Sequence, residues 1–176
     1  MSSNKNITNH LTNGYSDFVF SFLLRNNKDL SLTNKILDVG CGHYRNLKLF
    51  EKLGFNNLSG VDRNVSNNPL KTNISFIQMD IEKELLPYEN KNFKIVLCNY
   101  VLMFIKPERL NFVINELLRV CSCYLLIETY PKKSSGMFYE NYDFKNIVKY
   151  IKNNNEFEVI QQRNYYEKLL IRRKLT

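Results

Sequence analysis

The sequence predicts an α/β fold: a doubly wound, mostly parallel sheet with helices on both faces and a C-terminal antiparallel strand. Strand-like and helix-like apolar patterns alternate along the whole 176-residue chain. Strands joined by crossover helices run parallel and are covered on both faces. The runs "KILDV" and "FKIVLCNY" are almost continuously apolar, as strands buried on two sides are. The chain closes with "FEVIQQ" and "EKLLIRRK", only a few residues apart, which reads as a hairpin and therefore as an antiparallel edge.

Near the N-terminal end, Leu11, Tyr15, Phe18, Val19, Phe22 and Leu23 recur at helical spacing, with Gly14 and Ser16 placing the start of the helix proper late. "KILDV" is the first strand, followed by a helix from about Arg45 to Leu53. "NLSGVD" and "ISFIQMD" are the second and third strands, and "LPYENKN" is a turn-rich loop before the strongest strand, "FKIVLCNY". Pro107 suits a first helical turn, and Leu110, Val113, Ile114, Leu117 and Leu118 after it share one helical face. "CYLLIET" is a fifth strand, and Phe144, Ile147, Val148 and Ile151 mark a further helix.

No repeat, low-complexity linker or composition break divides the chain. One domain over residues 1–176 is expected, with an N-terminal helical segment (1–30) ahead of a sheet core (31–176). A hydrophobic content of 44% against 24% charged residues excludes a disordered chain. At this length a core burying roughly two thirds of the unfolded surface is available. The start, "MSSNKNITNH", has no apolar leader. No run approaches the ~18 apolar residues of a membrane span. Four cysteines without a spaced framework imply reduced thiols in a cytoplasmic protein. Cys121 and Cys123 form a Cys-x-Cys, but the chain's two histidines, His10 and His43, and the lack of a second Cys pair leave a zinc site short of ligands. The two thiols are expected on opposite faces of their strand, and no metal is expected.

In an open parallel sheet the ligand lies beyond the carboxyl ends of the strands, near the switch in strand order. The first strand ends at Asp38 and Gly40, the second at Asp62, the third at Asp80, and the fourth at Cys98, Asn99 and Tyr100. Each aspartate alone is an ordinary turn former or helix cap. Three at successive strand ends form a pattern that capping does not require. Asp62 lies 20 residues past Gly42, the spacing at which a second-strand acid reaches a ribose hydroxyl pair.

"ILDVGCG", then "GVD", then "QMDIEKELLPYENKNFKIVLCNYVLMFIKPERL" resembles the class I S-adenosylmethionine-dependent methyltransferases, over about residues 34–129 and with the motifs in order. The resemblance implies a Rossmann-like fold, methyl transfer as the activity and S-adenosyl-L-methionine as cofactor. Carried onto this chain, it implies that Asp38 orients the turn and faces the methionine amino end, and that Gly40, Cys41 and Gly42 bring the backbone up to the cofactor. It implies that Asp62, with Arg63 beside it, accepts the ribose hydroxyls. Asp80 would accept the adenine amine while Ile81 packs on the ring. Cys98 and Asn99 would lie beside the methionine and the methyl group, with Asn99 and Tyr100 as candidate catalytic residues.

The chain departs from the family where a third glycine is common and Tyr44 stands. The turn is then expected to be wider, or Tyr44 to overhang the pocket. Phe93-Lys94 replaces the usual Phe-Asp, at a strand start away from the site. A dinucleotide turn would show Gly-x-Gly-x-x-Gly, but the position three past Gly42 is Arg45. NAD-dependent oxidoreduction is thus the weaker reading, and a cofactor without phosphates the better one.

Methyl transfer from a sulfonium needs alignment and, for some acceptors, removal of a proton, so the acceptor leaves little trace in sequence. Net charge is +8, and from Lys132 to Thr176 there are 10 Lys and Arg against 5 acids. Lys106, Lys132 and Lys133 follow the fourth and fifth strands, interleaved with Tyr100, Tyr130, Phe138, Tyr139 and Tyr142. Cations beside aromatics suit a polyanion with stackable bases, RNA or DNA. Against DNA amino-methylation, Asn99-Tyr100-Val101-Leu102 stands where those enzymes carry an Asn-Pro-Pro-Tyr-like run. A small molecule or protein is the alternative acceptor, and a non-catalytic subunit of methyltransferase fold the alternative role.

Overall fold

The computed structural model describes residues 14–64, 73–129, 143–163 and 167–174. Helix α1 (Asp17–Asn26) starts where Ser16 Oγ accepts the amides of Phe18 and Val19, at 3.1 and 3.4 Å. Then follow β1 (Lys35–Val39), α2 (Arg45–Lys52), β2 (Asn57–Asp62), β3 (Ile74–Gln78) and β4 (Phe93–Asn99). The chain continues through α3 (Pro107–Val120), β5 (Cys121–Glu128), α4 (Phe144–Lys152), β6 (Phe157–Arg163) and β7 (Lys168–Arg173). The seven strands form one sheet in the order β3-β2-β1-β4-β5-β7-β6. The first five are parallel, and β7 runs antiparallel to both β5 and β6. The closing hairpin is present, with its last strand inserted next to β5 and β6 left at the edge.

Period-2 alternation sends neighbouring side chains of each strand into two cores. Leu37, Val96, Cys98, Leu125 and Ile127 pack with Ile114 and Leu117 of α3 and Ile147 and Ile151 of α4. On the other face Ile36, Ile95, Leu97 and Leu126 pack with Phe18 and Phe22 of α1 and Leu47 and Phe50 of α2. A fully buried Leu such as Leu117 contributes about 1.5–3 kcal/mol by leaving water. Among the described residues no helix is long and apolar enough to cross a membrane.

Helix α3 runs into β5 with no loop, so the fifth strand begins at Cys121, two residues before the apolar run that marked it in sequence. Cys121 and Cys123 do face opposite cores, for a reason their spacing does not contain. Residues two apart on a regular strand share a face. Here the register shifts between Phe93↔Cys121 and Ile95↔Tyr124, and this bulge turns Cys123 over.

The strand order reverses between β1 and β4, because the chain builds outward from β1 through β2 and β3 and then returns to add β4 on the other side. That reversal opens a crevice over the carboxyl ends of β1 and β4.

Candidate active site

The turn after β1 folds back over the end of β2: the amides of Gly40 and Cys41 both donate to Val61 O, at 2.7 and 3.1 Å. Gly40 takes φ +75°, and a Cβ there would lie 2.1 Å from Val101 Cγ2, so no side chain fits between this turn and the segment after β4. A Cβ at Gly42 would meet nothing within 4 Å, which leaves the backbone open on that side. Tyr44 follows at φ +60°, ψ 22° and caps α2 without a side-chain hydrogen bond.

The expectation that Tyr44 widens the turn or overhangs the pocket is therefore corrected. Its backbone takes the left-handed conformation that glycine adopts easily. Its ring is 3% exposed and meets Phe76 edge-on at 5.7 Å, inside the core rather than over the crevice.

The strand-end acids each have partners that hold them. Asp62 Oδ2 accepts from the Gly42 amide and Oδ1 from the Asn64 amide, each at 2.9 Å. Each oxygen keeps a lone pair for a further donor. Asp80 Oδ1 accepts from the Glu82 amide at 3.1 Å and Oδ2 pairs with Lys83 Nζ at 2.9 Å; the Lys83 hydrogen bond holds its carboxyl below the usual range. The Asp80 turn is fastened to the start of α3 through Glu82, whose Oε1 accepts from the Lys106 amide at 2.9 Å and whose carbonyl accepts from Arg109 Nε at 2.7 Å. Asp38 is 2% exposed. Burial pushes its carboxyl up to about 7, against the opposing pull of Arg45 and a hydrogen bond to Asn46, with Asp62 adding to the rise.

At the end of β4, Asn99 Nδ2 donates to Glu128 Oε2 at 2.9 Å, and the Tyr100 amide donates to Glu128 O at 2.6 Å. Tyr100 takes φ +61°, a strained value for a non-glycine residue, and the Arg45 guanidinium lies 5.3 Å over its ring.

These side chains surround one pocket of about 350 Å³. Of the residues singled out in the sequence, Asp38, Gly40, Cys41, Gly42, Asp62, Arg63, Asp80, Ile81, Asn99 and Tyr100 line it. Cys98 does not. Two residues on from Val96, it shares that residue's face and is fully buried in the core with α3 and α4, where burial drives its thiol far up. Sequence reasoning missed Val101, Phe104 and Ile105, which form an apolar wall, and His43, Arg45 and Asn46 from the start of α2. The apolar run "VLMFI" directly after a strand end was the available signal. Lys132, Lys133, Tyr130, Phe138, Tyr139 and Tyr142 lie outside the described residues. Among the described residues no cluster of His, Cys, Asp and Glu assembles to hold a metal ion.

The donor set fits S-adenosylmethionine better than a dinucleotide. The volume lies toward the small end of the roughly 300–1,000 Å³ of ligand pockets. Four acids, Asp38, Asp62, Asp80 and Glu82, line it against Arg45 and Arg63. That balance favours a ligand carrying sulfonium and ammonium charges and opposes a pyrophosphate. One buried acceptor, Asn99 Oδ1, has no hydrogen-bond partner among the described residues.

Sheet order, reversed β7 and acid-lined switch-point pocket together define the class: a class I, Rossmann-like methyltransferase fold. Residues 37–122 match the model of a methyltransferase domain. That stretch is a methyltransferase domain of the kind that uses S-adenosylmethionine. Comparison with curated proteins finds no sequence match.

Solved structures share the fold at low identity. The magnesium protoporphyrin IX methyltransferase of Synechocystis PCC 6803 with bound S-adenosylmethionine is 19% identical, with TM-score 0.65, over 98% of this chain and 92% of that one. The Burkholderia thailandensis 1,6-didemethyltoxoflavin-N1-methyltransferase is 14% identical, with TM-score 0.69, over 99% and 85%. An S-adenosylmethionine-dependent methyltransferase from Archaeoglobus fulgidus is 14% identical, with TM-score 0.68, over 97% and 99%.

Proposed function

We propose that this methyltransferase alkylates a small-molecule acceptor held over the carboxyl ends of β1 and β4, with cofactor contacts made by the strand-end residues. The observation that carries this reading is the convergence of Asp38, Asp62 and Asn99, on three strands, and Asp80, in the turn after a fourth, on one pocket walled by Val101, Phe104 and Ile105.

When bound, S-adenosylmethionine supplies an electrophilic methyl group together with its own leaving group. The chain's part is then to bind and align. Asp62, already oriented by the Gly42 and Asn64 amides, offers its remaining lone pairs to the ribose hydroxyls. Asp80, fastened through Glu82 to α3, offers an acceptor to the adenine amine, and Ile81 packs on the ring. Gly40 and Gly42 admit the ligand to the backbone, Cys41 and Arg63 border it, and Asp38 faces the cationic amino end. Asn99 and Tyr100 lie where the methyl would leave, with Tyr100 held by the Glu128 carbonyl and by Arg45. In-line alignment of this kind is worth several orders of magnitude in rate without an acid–base pair.

The described rim mixes Arg45 and Arg63 with Asp62, Asp80 and Glu82, which favours a compact acceptor over a polyanion. Two of the structural neighbours bear the names of small-molecule methyltransferases. A nucleic-acid acceptor is the second reading, favoured by the net charge of +8. Transfer of radiolabelled methyl from S-adenosylmethionine onto fractionated metabolite, RNA, DNA and protein pools separates the two. Label in a metabolite fraction supports the first reading, and label confined to RNA or DNA overturns it.

A further inference from the structure

Glu128 ends β5 inside a buried polar chain that runs to Asn99 at the pocket wall. Its Oε2 accepts from Ser16 Oγ at 2.5 Å and from Asn99 Nδ2 at 2.9 Å, and its Oε1 faces Lys168 Nζ at 2.5 Å. The side chain is 2% exposed. A carboxylate so far from water is tolerated only when paired and hydrogen-bonded, and all three of these side-chain neighbours are donors. Ser16 extends the chain: its amide donates to Asn46 Oδ1 at 3.0 Å, and Asn46 in turn hydrogen-bonds Asp38.

This arrangement determines which end of the Asn99 amide is left over. A carboxylate can only accept, so it takes the NH2 group and leaves Oδ1, the buried acceptor without a partner among the described residues. An unmet buried acceptor forfeits its hydration. Asn99 lines the pocket while its Oδ1 is itself covered, so a ligand donor meets that oxygen on a small shift of this wall. Lys168 balances the charge of Glu128, so its effect on the pocket is one of orientation.

We propose that Glu128 is a positioning residue for the methyl donor: by holding Nδ2 of Asn99, it makes the pocket wall at the end of β4 present an acceptor to the ligand's cationic α-amino group. The inference rests on the pocket being the S-adenosylmethionine site. Replacing Glu128 by glutamine keeps the shape but supplies an NH2 donor, which draws Asn99 Oδ1 toward residue 128 and turns the wrong end of the amide to the ligand.

The test is calorimetric titration of the full chain with three probes: S-adenosylhomocysteine, its analogue lacking the α-amino group, and 5′-methylthioadenosine, which lacks the whole amino-acid tail. Wild type should prefer S-adenosylhomocysteine over the desamino analogue by at least about tenfold. In Glu128→Gln that preference should shrink to about threefold or less, while methylthioadenosine affinity stays within about twofold of wild type. Adding Asn99→Asp to Glu128→Gln restores an acceptor and should restore the preference. An undiminished preference in Glu128→Gln overturns the proposal, as does its absence in wild type. A parallel loss of methylthioadenosine binding also overturns it, because a general structural role would act on every probe. Failure of wild type to bind any of the three overturns the cofactor-site reading itself.

Discussion

Replacing Asp62 separates two roles that its geometry combines. Its two oxygens accept the Gly42 and Asn64 amides, both at 2.9 Å, so the side chain braces the glycine turn against the end of β2. Hydrogen bonds to an ionised acceptor contribute about 1.5–3 kcal/mol each, but here both donors lie on an exposed turn and regain water when released. The expected loss of stability in Asp62→Ala is therefore about 1–2 kcal/mol, well below the roughly 3–6 kcal/mol that two such bonds would contribute if buried. At this chain length that is a fall of roughly 2–8 °C in Tm.

On the proposed reading the same oxygens accept the two ribose hydroxyls of the bound cofactor, so losing those contacts should weaken binding by at least about tenfold, one decade per ~1.4 kcal/mol. Asp62→Asn should do comparable harm, because its NH2 must face one of two backbone donors. Thermal melts with and without S-adenosylmethionine, joined to calorimetric titration, read both effects at once. A ligand-induced shift in Asp62→Ala as large as that of wild type would refute the reasoning and leave Asp62 as a turn brace only.

Asp38, placed by the proposal at the cationic end of the cofactor, should make binding sensitive to pH. Its carboxyl is raised to about 7, and a cationic ligand favours the ionised form, so affinity should rise about tenfold from pH 6 to pH 8. Asp38→Asn should flatten this profile, and titrations showing a flat or falling profile in wild type would count against the assignment. The sign for stability is opposite: a buried acid with a raised pKa favours the folded chain at acidic pH and loses that advantage as pH rises through about 7, so Asp38→Asn should raise Tm at pH 8 more than at pH 5. Gly40→Ala should cost about 2–4 kcal/mol in chemical denaturation, from the clash with Val101 and the left-handed φ. Adding Val101→Ala should recover the clash but not the backbone strain, and full recovery would show that φ is immaterial.

Elements with strong periodicity were legible in the sequence. The near-continuous apolar runs became β1 and β4, the Leu110–Leu118 face became α3, and the acids at three strand ends pointed to the crevice that they line. What escaped was long-range. Glu128 meets Ser16 across 112 positions and Asn99 across 29, and no local pattern pairs such residues. Cys98 was misplaced although period-2 spacing from Val96 already assigned it to the core. Tyr44 misled because a chemical departure from glycine was read as a departure in shape. A glycine there would relieve about 1–3 kcal/mol of left-handed strain but forfeit a buried ring whose removal costs roughly 3–5 kcal/mol. Packing wins, so the turn keeps its path with a tyrosine in it.

The central claim is that the acid-lined pocket over β1 and β4 holds an S-adenosyl ligand and no pyrophosphate. Calorimetric titration of the full chain with S-adenosylmethionine, S-adenosylhomocysteine and NADH tests it most directly. The expected result is one saturable site per chain for each S-adenosyl compound, each displacing the other, with no heat from NADH. Saturation by NADH with no response to either S-adenosyl compound would contradict it.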